Sequence, residues 1–85
     1  MRESREQFIS RTADELKRKR EEFGLSLAEV GLAVDASRAT VGLWERGECV
    51  LNGYSAMLLR LLWKRKRAER EQEVLREQAR GEASA

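Results

Sequence analysis

GLSLAEVGLAVDASRATVGLWERG, residues 24–47, contains two serines suited to opening helices, Ser26 and Ser37, eleven positions apart. Ser26 is followed three residues later by Glu29, a pairing in which each side chain satisfies an otherwise orphan backbone N–H of the other. The spacing predicts a short helix over LAEVGLAV, a turn at Asp35 and Ala36, and a second short helix over RATVGLWE that starts from Ser37 and closes at Gly47. Two short helices joined so tightly cross steeply, and the second can be held clear of the body as a probe. Helical phase turns Val30, Ala33 and Val34 inward from the first, and Val41 and Trp44 inward from the second, with Gly31 permitting close approach. Arg38, Ala39, Gly42, Leu43 and Arg46 are left facing outward. That face is short and mostly small, with a cation at each end, a shape that enters the DNA major groove without steric conflict.

The flanking segments also read as helices. Proline is absent from all 85 residues and β-strand alternation never persists. Thr12, with Glu15 three residues on, predicts the start of a helix that buries Ala13, Leu16 and Phe23 and stops at Gly24, a residue suited to the left-handed position after a helix. RESREQFIS, upstream, predicts an arm or short extra helix packed by Phe8 and Ile9. After an irregular ECVLNGYS, one long helix is expected from about Ala56 to Arg80, apolar at first (Met57, Leu58, Leu61, Leu62) and then almost wholly charged, with GEASA fraying beyond it. The fold class is therefore all-α, a compact bundle of about five helices around a helix-turn-helix with an extended C-terminal helix. Residues 1–11 form an arm, 12–63 the helix-turn-helix domain, 64–80 a basic-to-acidic helix, and 81–85 a tail.

Composition removes several classes of function. No histidine is present, and Cys49 is the only cysteine, so the usual His/Cys metal sites, an intrachain disulfide and histidine acid–base chemistry are all ruled out. No nucleophile, base and orienting group can be assembled, so an enzyme is not expected, and neither is a cofactor. No apolar run approaches a membrane span and the first residues lack the apolar core of a signal peptide, so no membrane partner and a cytoplasmic location are expected. Formal charge is only +2, but it is unevenly spread: RLLWKRKRAER is strongly basic, whereas Glu71, Glu73, Glu77 and Glu82 make the last residues lean acidic.

The joint pattern G-L-S, Glu29, Ser37, Thr40-Val41, Trp44-Glu45 and Gly47 resembles the helix-turn-helix core of the XRE/Cro-type, lambda-repressor-like DNA-binding proteins, without a gap from Gly24 to Gly47. The likeness runs back to Arg20 and, more loosely, forward to about Leu62. It implies a transcriptional repressor that binds double-stranded DNA, with Arg20 and Glu45 at positions whose side chains pair. A narrower likeness in length and layout, to small repressors of broad-host-range plasmids, implies repression at palindromic promoter sites. The sequence departs from the pattern at Leu27, where a DNA-bonding glutamine is frequent, at Asp35, where the turn usually has glycine, at Gly31, often alanine, and at Gly42 and Leu43, where the recognition helix is usually polar.

Within this reading Arg38, Ala39, Thr40 and Leu43 are the candidate base-reading residues. Arginine can bond guanine O6 and N7 together, and Ala39 or Leu43 can meet a thymine methyl. Ser26, Ser37, Arg46, Lys64, Arg65, Lys66 and Arg67 are candidates for the phosphate backbone, the run 64–67 competing with a reading as a solvated surface paired to Glu69, Glu71 and Glu73. Trp44 reads as core. Trp63 reads equally as core rim or dimer contact. A palindromic operator demands a homodimer. Leu61, Arg65, Ala68, Gln72, Leu75 and Ala79 follow alternating four- and three-residue steps, a thin heptad seam to which Leu58, Leu62 and Trp63 would add burial. The alternative is an antitoxin-type protein-interaction module that neutralises a partner toxin and regulates its own operon.

Overall fold

The computed structural model describes residues 2–83, with side chains described as far as Gly81. Four helices follow one another: α1 Arg5–Glu22, α2 Leu27–Val34, α3 Arg38–Glu45 and α4 Gly53–Ala83. Among the described residues there is no strand, and no helix is long and apolar enough to cross a membrane.

Each helix is opened by a short polar side chain. Ser4 caps α1 and Ser26 caps α2, both in reciprocal boxes, with Gln7 and Glu29 respectively. Ser37 accepts the Thr40 N–H at the start of α3, and Asn52 Oδ1 accepts the Ser55 N–H at 2.7 Å at the start of α4. The first three helices end alike. Gly24 (φ 66°), Asp35 (φ 55°) and Gly47 (φ 72°) adopt left-handed backbone. The following N–H then reaches back five residues: Leu25 to Arg20 O at 3.0 Å, Ala36 to Gly31 O at 2.8 Å, and Glu48 to Leu43 O at 2.9 Å. These bonds satisfy carbonyls that would otherwise have no partner. The aspartate accepts a conformation that costs most residues about 1–2 kcal/mol and is visited more readily by Asn and Asp.

Two expectations are corrected. The bundle has four helices rather than about five, because Thr12 does not open a helix. The Ser4–Gln7 box starts α1 eight residues earlier than a Thr12–Glu15 box would, and the Thr12 hydroxyl donates to Phe8 O or Ile9 O, each 3.0 Å away, so Thr12 sits inside the helix without interrupting it. The arm and the first helix are thus one element. At the other end, α4 begins at Gly53, ahead of Ala56, and continues through Gly81 to Ala83. The fraying expected at 81–85 is not seen to Ala83, and residues 84 and 85 lie outside the described residues.

The core is Leu16 from α1, Val30 and Val34 from α2, Val41 and Trp44 from α3, and Leu59, Leu62 and Trp63 from α4. Phe23 stacks on Trp63 with ring centroids 6.0 Å apart. On α4 the inward line is therefore Ser55, Leu59, Leu62 and Trp63, while Met57 and Leu61 are exposed. Leu62 and Trp63, expected at a dimer contact, are 4% and 7% exposed and belong to the chain's own core.

Gly31 is needed for the turn rather than for helix-on-helix approach. A Cβ built there collides with the backbone carbonyl of Ala36, which folds back over it. Gly31→Ala should therefore destabilise the protein by about 1–3 kcal/mol, the usual range for overpacking. Gly81→Ala, with nothing within 4 Å of an added Cβ, should be neutral or stabilising by up to about 1 kcal/mol. Urea denaturation of both variants tests the contrast.

Candidate nucleic-acid interface

α3 is fixed at both ends. At its start, Ser37 Oγ accepts the Thr40 N–H at 3.1 Å and lies 2.9 Å from Thr40 Oγ1. At its end, Glu45 takes a two-pronged bond from Arg20 of α1, Nε to Oε2 at 2.6 Å and Nη2 to Oε1 at 3.0 Å. Arg20 Nη1 also donates to Leu25 O at 3.1 Å, so one guanidinium joins α1, the α1–α2 turn and α3. The Arg20 and Glu45 side chains are 18% and 8% exposed. Hydrogen bonding to Glu45 raises the Arg20 pKa above its ordinary value, although burial opposes the shift. The pairing implied for these two positions is present.

Between these fixings, Arg38 and Ala39 in the first turn of α3 are exposed and Thr40 and Leu43 are half-buried. Arg38 makes no ion pair among the described residues. Gly42, expected on the open face, is buried instead: the Arg46 guanidinium lies over it, with Nη1 3.1 Å from an added Cβ. Arg46 Nε also donates to Glu48 at 3.0 Å, both side chains being more than half exposed. Such a surface pair contributes about 0–1 kcal/mol and is readily exchanged for another anion. The four candidate base readers thus share one short helix. Two are fully presented, and the other two line its edge.

The candidate backbone contacts fall in three places. Ser26 and Ser37 already accept backbone N–H groups at the starts of α2 and α3; the Ser26 O–H is left to donate, whereas the Ser37 and Thr40 hydroxyls share a hydrogen bond in which either can donate. Arg46 sits at the far end of α3. The run at 64–67 lies on α4, with Lys64, Arg65 and Arg67 exposed, and both Lys66 and Arg65 paired to Glu69, at 3.2 and 3.8 Å. Lys66 faces α2. The Glu29 carboxyl is held below its ordinary pKa, chiefly by the Ser26 backbone N–H, then by the Ser26 side chain, and least by the charge of Lys66.

The spacing rules do not foresee one cluster. Arg70 lies 4.5 Å over the Phe23 ring, donates to Glu22 O at 2.9 Å and is 3.6 Å from the Glu22 carboxylate, fastening α4 to the end of α1. Its signal in the sequence is the seven-residue step from Trp63 to Arg70, which keeps both on one face of α4. Of the residues expected at the dimer interface, Leu61, Ala68 and Leu75 are exposed and Leu58 is half-buried.

Glu45→Ala would leave the Arg20 guanidinium buried without its carboxylate, a loss of about 3–5 kcal/mol for buried pairs and a large part of the stability of a small domain. Replacing both partners, Arg20→Met with Glu45→Leu, should recover much of that loss, as read by thermal unfolding. No family model, curated protein or solved structure matches this chain.

Proposed function

We propose that the chain is a sequence-specific repressor that binds double-stranded DNA as a dimer at a palindromic operator. The observation that carries this is α3 itself: a two-turn helix, bolted at one end by Arg20–Glu45 and capped at the other, with Arg38 and Ala39 exposed on its first turn. That is the part of a recognition helix that reaches base edges in the major groove. Arg38 specifies a guanine through O6 and N7, and Ala39 or Leu43 a neighbouring thymine through its methyl. Thr40 contacts the edge of the site. Ser26 and Ser37, at two adjacent helix N-termini, donate to phosphates there, and Arg46 exchanges Glu48 for a phosphate. The resemblance of residues 24–47 to XRE/Cro-type proteins supports the same role, and the likeness to plasmid repressors supports a place on a plasmid or other bacterial mobile element.

Selection of bound sequences from random duplex DNA should enrich a palindrome with a G and a T in each half-site. Recovery of no motif would turn the reading toward the antitoxin-type alternative. Arg38→Ala should weaken operator binding by about 1–3 kcal/mol per half-site and relax preference at one base pair. Should Arg38→Ala keep the wild-type ratio between operator and scrambled DNA, Arg38 is not a base reader.

Lysine and arginine side chains that neutralise phosphates release counterions. Lys66→Gln with Arg67→Gln should therefore weaken binding to all DNA alike and flatten the slope of log affinity against log salt by about 0.9 for each phosphate left without its cation. An unchanged slope would return these side chains to the solvated surface of α4.

A further inference from the structure

We infer that α4 pairs with α4 of a second copy as a parallel two-stranded coiled coil. This deepens the dimer of the proposed function by fixing its orientation. Burial divides α4 into two faces. Leu59, Leu62, Trp63 and Arg70 turn toward the chain's own core. On the other side Tyr54 is 62% exposed, Leu61 56% and Leu75 57%, with Ala68, Gln72 and Ala79 also exposed and Leu58 half-buried. From Tyr54 through Leu58, Leu61, Arg65, Ala68, Gln72 and Leu75 to Ala79, these residues form one continuous line of alternating four- and three-residue steps. Tyr54, Leu61, Ala68 and Leu75 fall at d positions and Leu58, Arg65, Gln72 and Ala79 at a positions.

The flanks identify the occupant and its direction. In a parallel pair each g residue meets the e residue five positions on in the partner chain, and these contacts set partner choice and orientation. Here the g residue Lys64 meets the partner's Glu69, and Glu71 meets the partner's Arg76, so each charged g–e contact is attractive. In an antiparallel pair centred on Ala68, Glu69 would instead lie beside its own symmetry mate. Arg65 is the one cation placed in the parallel seam, and its own Glu69, at 3.8 Å, offsets that charge. Parallel pairing also brings both α3 helices to the same end of the coil, so that the coil axis coincides with the dyad of a palindromic site.

The seam is thin, with small or polar residues at four of eight positions, so the pair should form and dissociate with concentration. Sedimentation of the full chain should show dimer at about 100 µM. A monomer at that concentration overturns the inference. Glu71 and Arg76 are five residues apart and do not face one another within one helix, which brings together residues three and four apart. Glu71→Arg or Arg76→Glu alone should weaken the dimer about tenfold, and the two together should restore it. Failure of the double variant to recover overturns the assignment. Orientation is read in a Cys49→Ser background. Leu75→Cys should form a disulfide with its own copy, and a mixture of Leu61→Cys and Leu75→Cys chains should give no 61–75 link. Appearance of that mixed link means antiparallel pairing and overturns the proposal. These measurements contain no DNA, so the pairing can fail while operator selection succeeds, or the reverse.

Discussion

The salt bridge between Arg20 and Glu45 is the contact that ties α1, the α1–α2 turn and the end of α3 into one unit. The three neighbouring helices are joined by turns of only a few residues, so sequence alone keeps each near the next. It does not hold the end of α3 against α1. The guanidinium does so by directing two donors to one carboxylate and a third to the carbonyl of Leu25. Paired in this way, both charges tolerate burial that either alone would not. The apolar side chains beneath, Leu16, Val30, Val41 and Trp44, then meet at one centre. Any ligand read by the first turn of α3 is read by a helix that cannot swing.

How much of this is legible in the sequence depends on the range of the interaction. Ser26 with Glu29, Ser37, Gly24 and Gly47 act within a few residues, so α2 and α3 can be placed from spacing alone. Thr12 shows the weakness of the same logic. Its pairing with Glu15 is as good a local signal as Ser4 with Gln7, and nothing local says that the earlier one has already started the helix. The inward face of α4 is harder still. Met57, Leu58, Leu61 and Leu62 share one side of the helix, but Leu59 and Trp63 widen the apolar arc to about two-thirds of the circumference, so periodicity gives no sharp phase. The phase comes from Trp63 and Phe23, forty residues apart, finding each other. The candidate site is legible for the exposed ends of α3, Arg38 and Arg46. It misleads at Gly42, because the roof over that residue is the flexible arm of Arg46, which no spacing rule foresees.

The departures from the resembling family acquire physical sense in this fold. Asp35 occupies the left-handed turn in place of glycine, and Gly31, in place of alanine, makes room for the carbonyl of Ala36. The two changes act on the same turn and sit four residues apart. With no side chain at 31, the carbonyl of Ala36 closes over the helix end.

The connections between helices bear on the kinetics of folding. Each connection is short and no proline is present to isomerise, while the packing reaches across intervening helices, α1 on α3 and α2 on α4. Its regular structure is wholly helical and most of its hydrogen bonds are local, which places it with the helical proteins that fold in microseconds to milliseconds. Slow phases of tens of seconds, the mark of a trapped prolyl bond, have no source in this chain. Newly made copies can therefore reach the folded state almost as soon as they leave the ribosome.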